Sequence, residues 1–289
     1  MAQAPERAFQ PFKHFELRGW RNVAERYDSA FGSATGQAIG PMLDAARIGP
    51  GVRVLDVACG PGYVAAAAAA QGASVLGLDF AAEMVALAGR KWPGIEFREG
   101  DAENLDLPDA SFGGEGATFD AVVMNFGILH LADPDRALAE AWRVLKPGGR
   151  LAFTVWEPPP RTVPFEIVLG AVKAWGVPDI GVPPGPPMFR FADQEEARRV
   201  LTGIGFQGVA FVHLPIMLAL ARPGDLFTIM LDAGVRTSGL LKAQTAVALN
   251  KIREHMQAKV AAYAIGDEAD ARYVLPMPAV LITAAKTAR

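Results

Sequence analysis

The stretch VRVLDVACGPGYVAAAAAAQGASVLGLD, residues 52–79, decides the fold. Val52–Val57 is a short apolar run carrying Asp56 near its end, and Cys59-Gly60-Pro61-Gly62 turns the chain. An alanine-rich helix, Tyr63–Ala70, follows, and Ser74–Asp79 is a second apolar run closed by an acid. The alanines need no functional explanation, because alanine is the best helix former. Strand, glycine turn, helix and strand within about 30 residues make a βαβ unit with parallel strands.

The alternation continues downstream. Ala82–Arg90 reads as a helix, Ile95–Glu99 and Phe119–Asn125 as strands, Pro134–Leu145 as a helix and Arg150–Trp156 as a fifth strand after the KPGG turn. Such alternation implies a parallel sheet covered on both faces. Upstream, residues 15–31 place Trp20, Val23, Ala24, Tyr27 and Phe31 near one face of an amphipathic helix. A short helix over 42–47 follows the Gly40-Pro41 break.

The prolines of 157–189 predict a loop or cap insertion, since proline suits neither a helix interior nor a central strand. Residues 193–202 read as a helix capped by Asp193. Phe206–Leu220 is strand-like in its first half, Leu240–Tyr263 reads as one long helix, and Tyr273–Ala284 as the last strand.

The chain has 289 residues, with 51% apolar and 20% charged, an ordinary globular balance that supports a full core. A net charge of −3 offers no basic field for nucleic acid. The single cysteine, Cys59, excludes an internal disulfide framework and fits a reducing compartment. The first 20 residues show no apolar signal-peptide core, and the longest apolar stretch, roughly 209–221, is too short to span a bilayer. A soluble, cytoplasmic protein without a membrane span is expected.

Each parallel strand ends near a residue able to hold a ligand. These are Asp56 with the Gly60–Gly62 turn, Asp79, Asp101, Asn125 and Trp156. Alone, each acid is equally at home in a turn; in this order they line the crevice of an open α/β sheet. Gly60 and Gly62 let the backbone approach a ligand, and the following helix N-terminus favours an anionic group. Asp79 lies 19 residues beyond Gly60, a spacing that suits a carboxylate on ribose hydroxyls. A nicotinamide dinucleotide is the competing ligand. Asp56 argues against it, because a carboxylate repels a pyrophosphate and attracts an ammonium. An adenosine joined to a sulfonium and a zwitterionic amino acid fits these charges better.

VLDVACGPGYVA (54–65), LGLDFAAEMVALA (76–88), EGDAENLDLP (99–108), the 119–151 segment and FADQEEARRVLTGIGF (191–206) together resemble class I SAM-dependent methyltransferases. The resemblance is to the small-molecule branch of ubiquinone/menaquinone-biosynthesis type. It covers 50–157 strongly and 189–209 in part. It implies a Rossmann-like, doubly wound, mostly parallel α/β sheet of seven strands with helical cap segments. The implied organisation is an N-terminal helical lid (1–49), a SAM-binding core (50–157), and cap insertion, helices and last strands (158–289).

The resemblance further implies that Asp56, Gly60 and Gly62 hold the methionine end of S-adenosyl-L-methionine. Asp79 would bind the ribose, Phe80 or Met84 would lie against the adenine, Asp101 with the Ala102 backbone would meet the adenine amino group, and Asn125 would lie beside the methyl group. Tyr27 and Trp20 match the family habit of covering the cofactor with an N-terminal helix. Two departures stand out. Ala58 replaces a common glycine and is expected to be tolerated, and GGEGAT (113–118) is expected to form a mobile surface loop without a catalytic role.

His130 can act as a general base, since a neutral imidazole suits that task, or it can simply anchor the turn before Asp133-Pro134. Trp20, Trp156, Phe189, Phe191, Phe227 and Met230 are candidates for an apolar acceptor pocket, with ordinary core as the competing reading. Arg236 either fixes an anionic acceptor or is salt-bridged. His14, His213 and His255 have no supporting context, and no Cys/His spacing suggests zinc or another metal. The expected activity is methyl transfer to a small, partly apolar acceptor. A nicotinamide-dependent oxidoreductase and a non-catalytic SAM-binding protein are the alternatives; a homo-oligomer is left open.

Overall fold

The computed structural model describes residues 9–24, 31–108, 118–267 and 271–287. Its main sheet has seven strands in the order β3-β2-β1-β4-β5-β10-β6. They are β1 (Arg53–Val57), β2 (Ser74–Asp79), β3 (Glu96–Glu99), β4 (Phe119–Asn125), β5 (Leu145–Trp156), β6 (Phe206–Leu214) and β10 (Ala279–Lys286). The β3-β2-β1-β4-β5 half is parallel, and β10 runs antiparallel between β5 and β6. This is the doubly wound, mostly parallel sheet the sequence implied.

The central strands are apolar on both faces because both faces are covered. Val54, Val123 and Ala152 point into one apolar layer, and Leu55, Val122 and Phe153 into the other. Helix termini follow local chemistry. Asp133 accepts from the Arg136 N–H at 3.1 Å to start helix Pro134–Val144, and Asp193 accepts from the Glu195 and Glu196 N–H groups to start helix Gln194–Ile204. Gly205, at φ 118°, ends the latter.

Several boundaries differ from the sequence reading. The proline-rich 157–189 segment contains a 13-residue helix, Val163–Trp175, with Pro164 in its first turn, where the missing N–H costs nothing. The 240–263 helix is two, Val235–Lys242 and Ala246–Ala261, broken where the Thr245 hydroxyl accepts from the Ala248 N–H at 3.2 Å. Residues 273–284 are also two strands. β9 (Arg272–Pro276) pairs with β7 (Met217–Leu220) and β8 (Ala264–Ile265) in a small antiparallel sheet, and the chain enters the main sheet as β10 only after Met277-Pro278. Pro215 and Pro278 stand at the two bends, where they interrupt strand pairing.

The N-terminal helix starts earlier than expected and runs Gln10–Val23. It packs on helix Ala82–Lys91 and on helix Val235–Lys242. Gly19 makes the second crossing close, because a Cβ there would collide with Val235. The helix thereby crosses the carboxyl ends of the parallel strands, at the switch point between β1 and β4. Tyr27 and most of the 113–118 loop lie outside the described residues.

Candidate active site

The strand ends open into a cleft beneath the N-terminal helix, the place where open α/β sheets bind their ligands. Ala58, Gly60, Asp79, Phe80, Met84, Asp101, Ala102 and Asn125 all line it, together with Trp20 and His130. Asp56 faces an adjoining recess that shares Ala58, Gly60 and Asn125 with the cleft. Gly62 lines neither space. Its φ of 81° and its closeness to Phe97, 2.7 Å from a would-be Cβ, make it a turn and packing residue.

The carboxylates are held by backbone. Asp56 Oδ2 accepts from the Ala65 N–H at 3.1 Å, while Oδ1, equally buried, has no hydrogen-bond partner among the described residues. Burial pushes the Asp56 carboxyl up to about 8, the Asp79 charge adds to the rise, and the Ala65 N–H opposes it. Asp79 accepts from the Gly60 and Ala81 N–H groups at 2.9 Å each, which ties β2 to the glycine turn. Burial raises it to about 6 against those N–H groups. A Cβ on Gly60 would meet nothing within 4 Å, so the turn presents open space toward the cleft. An orphaned, buried carboxylate oxygen beside that space fits the ammonium of an amino acid ligand.

Two backbone positions here are strained. Ala58 (φ 52°) and Phe126 (φ 55°) both occupy the left-handed region at the strand ends. Thr154 supports the second: its hydroxyl accepts from the Phe126 N–H at 2.9 Å and donates to Asn125 Oδ1 at 2.7 Å. Asn125 Nδ2 donates to the Thr35 carbonyl at 3.1 Å.

The N-terminal helix closes the cleft with charge. Lys13 bridges Asp101 at 2.6 Å and Glu103 at 2.8 Å. Burial opposes the Lys13 charge, but those hydrogen bonds and charges hold its pKa above the ordinary lysine value. Glu16 is fully buried, with Oε2 2.9 Å from His130 Nδ1 and Oε1 3.0 Å from Arg236 Nε. Trp20 sits edge-on to His130 at 4.7 Å.

A further chamber lies beyond Trp20, Phe126 and His130, which line both spaces. Its walls include Trp156, Phe165 and Met188, with Phe126 stacked on Trp156 at 3.8 Å. Of the expected acceptor residues, Trp20, Trp156 and Arg236 line this chamber. Phe191, Phe227 and Met230 are buried core, and Phe189 packs on Phe165. Arg236 is salt-bridged. Besides Glu16 it donates to the Leu129 and Pro186 carbonyls, lies over the Phe12 ring, and burial lowers its pKa from the usual arginine value.

The methyltransferase-domain family matches residues 55–153. The demethylmenaquinone methyltransferase of Renibacterium salmoninarum is 34% identical over 182 residues, which span 60% of this chain and 74% of that protein. The chain belongs to the class I SAM-dependent methyltransferases. Two solved structures share the methyltransferase fold at low identity. The YcgJ protein of Bacillus subtilis matches with a TM-score of 0.56 and 20% identity, over 87% of this chain and 99% of that one. The phosphoethanolamine N-methyltransferase 2 of Haemonchus contortus, in complex with S-adenosylhomocysteine, matches with 0.55 and 18%, over 96% and 60%.

The oxidoreductase alternative is not favoured, because both the matching family and the Renibacterium salmoninarum relative are methyltransferases. Among the described residues no helix is long and apolar enough to cross a membrane, and no group of three or more His, Cys, Asp or Glu side chains is arranged for a metal. Sequence reasoning missed Lys13, Glu16, Glu103, Phe126 and Phe165. Glu16 had a legible signal: it shares a helical stripe with the buried Phe12 and Val23, where an acid is out of place.

Proposed function

We propose that this methyltransferase places its cofactor along the Asp56–Asp79–Asp101 edge and methylates a flat, largely apolar acceptor held in the aromatic chamber. The observation that carries the reading is the pair of adjoining spaces that share Trp20, Phe126 and His130 in their linings. When bound, SAM supplies a methyl group on an activated sulfonium. The protein's own tasks are alignment, exclusion of water and handling of the acceptor proton.

Asp56 Oδ1 suits the ammonium, Asp79 the ribose hydroxyls, Asp101 and the Ala102 backbone the adenine edge, and Asn125 the region of the methyl group. Phe80 and Met84 form the apolar side. His130 is placed to take a proton from a hydroxyl or acidic carbon. The Renibacterium salmoninarum relative is a demethylmenaquinone methyltransferase, and a demethylmenaquinone has the flat ring such a chamber suits. The helix Gln10–Val23 serves as the lid, and 158–289 completes the chamber within one domain. The net charge of −3 favours a small molecule over nucleic acid, and the lone cysteine suits the cytoplasm.

The test is calorimetric titration with S-adenosylhomocysteine and NADH, followed by methyl transfer from labelled SAM to reduced demethylmenaquinone and simpler phenols. Micromolar binding of the former ligand alone, with label in a ring acceptor, is expected. Binding without turnover on any ring acceptor would remove the acceptor reading and return the non-catalytic alternative.

A further inference from the structure

We propose that Glu16 is the positioning residue for His130: held by Arg236, it keeps the imidazole as the Nδ1–H tautomer and leaves the Nε2 lone pair for the acceptor's proton. The inference rests on the proposed role of His130, which lines both spaces.

Glu16 has no exposed surface, so its charge must be balanced by protein. Arg236 does this from helix Val235–Lys242, with Nε 3.0 Å from Oε1. A neutral Glu16 would leave the buried guanidinium without a counter-charge, so the carboxylate form is the one the arrangement supports. A carboxylate only accepts hydrogen bonds. The partner 2.9 Å from Oε2, His130 Nδ1, must therefore carry the proton. The neutral ring then has its lone pair on Nε2, which makes no hydrogen bond among the described residues. Nδ1 faces the buried acid, so the accessible edge of the ring lies on the other side, toward the spaces it lines. Trp20, edge-on at 4.7 Å, restrains rotation of the ring. When the acceptor gives its proton to Nε2, the imidazolium formed is balanced by Glu16.

The Arg236 bond also determines what a glutamine does here. In Glu16→Gln the Arg236 N–H still requires an acceptor, so the amide oxygen takes the Oε1 place. The NH₂ group then turns to Nδ1 and donates to it. The lone pair moves to Nδ1, the proton to Nε2, and the base is lost although size and packing are kept.

The experiment is a long-range ¹H–¹⁵N correlation spectrum of the labelled full chain, without ligand, at neutral pH. His130→Gln assigns the signal among the four histidines. Wild-type protein should show a protonated Nδ1 and an unprotonated Nε2 at His130, and Glu16→Gln should invert the two. S-adenosylhomocysteine affinity should differ less than threefold between the two proteins. A protonated Nε2 in the wild type overturns the proposal without needing any variant. So does an unchanged tautomer in Glu16→Gln, or loss of affinity without a change of tautomer. Failure of wild-type protein to bind S-adenosylhomocysteine would instead count against the cofactor reading and leave the tautomer result standing.

Discussion

Binding of S-adenosylhomocysteine should release protons, and Asp56 sets the amount. Its carboxyl is pushed up to about 8, chiefly by burial. At pH 7 roughly nine in ten molecules then carry a proton there. A ligand ammonium beside Oδ1 favours the carboxylate and expels that proton. About 0.9 proton should leave per ligand at pH 7, about 0.5 at pH 8 and about 0.1 at pH 9. The logarithm of the affinity should accordingly rise by nearly one per pH unit between 6 and 7. Asp79, raised to about 6, adds to the release at the acid end only if its own pKa falls on binding.

The assay is calorimetry in two buffers of different ionisation enthalpy, repeated at three pH values. Asp56→Asn should abolish most of the release at pH 7. It should also weaken binding by about 1.5–3 kcal/mol, the worth of a hydrogen bond to a charged group, or roughly ten- to hundredfold. The same linkage acts on stability. A carboxyl raised from its ordinary value of 3.8 favours the folded apo-protein at low pH. That contribution is full below about 4 and is lost as pH rises through about 8, so the apo Tm should fall over this window more than that of Asp56→Asn. A buffer-independent binding enthalpy in the wild type, or equal proton release in the Asn variant, would refute the reasoning.

Three further outcomes are expected. Gly127→Ala puts a Cβ 2.6 Å from the Ala58 Cβ, which should cost about 1–3 kcal/mol; Ala58→Gly in the same chain should restore part of it, and a double-mutant cycle by chemical denaturation that shows simple additivity would disprove the contact. Thr154→Val orphans the Phe126 N–H and Asn125 Oδ1 and should lower stability by about 2–4 kcal/mol; an unchanged denaturation midpoint would mean these groups find other partners. Lys13→Ala removes the bridge from the N-terminal helix to Asp101 and Glu103; amide exchange in Gln10–Val23 should speed up several-fold while β1 and β4 stay protected, and equal exchange would show that the helix is held by packing alone.

Much of the site was legible because its ligand-facing groups sit at the ends of strands whose order follows the chain. Asp56, Asp79, Asp101 and Asn125 needed only the strand pattern to be placed on one edge. The acceptor side was harder. Phe189, Phe227 and Met230 are apolar by type, but an apolar side chain serves a wall and a core equally well, and only packing separates the two. Boundaries differ where one residue overrides a trend: Pro164 starts a helix, Thr245 divides one, and Pro278 stands where the chain passes from the small sheet to the main one.

The sequence by itself determined the parallel half of the sheet, the glycine turn and the ordered acids, because short-range periodicity and turn chemistry specify them. Tertiary structure decided what meets across the cleft. Glu16, His130 and Arg236 are separated by 114 and 220 residues from the first to the other two. No local pattern encodes such a meeting. It exists because the first helix, brought close by Gly19, crosses the ends of strands that were built from the middle of the chain.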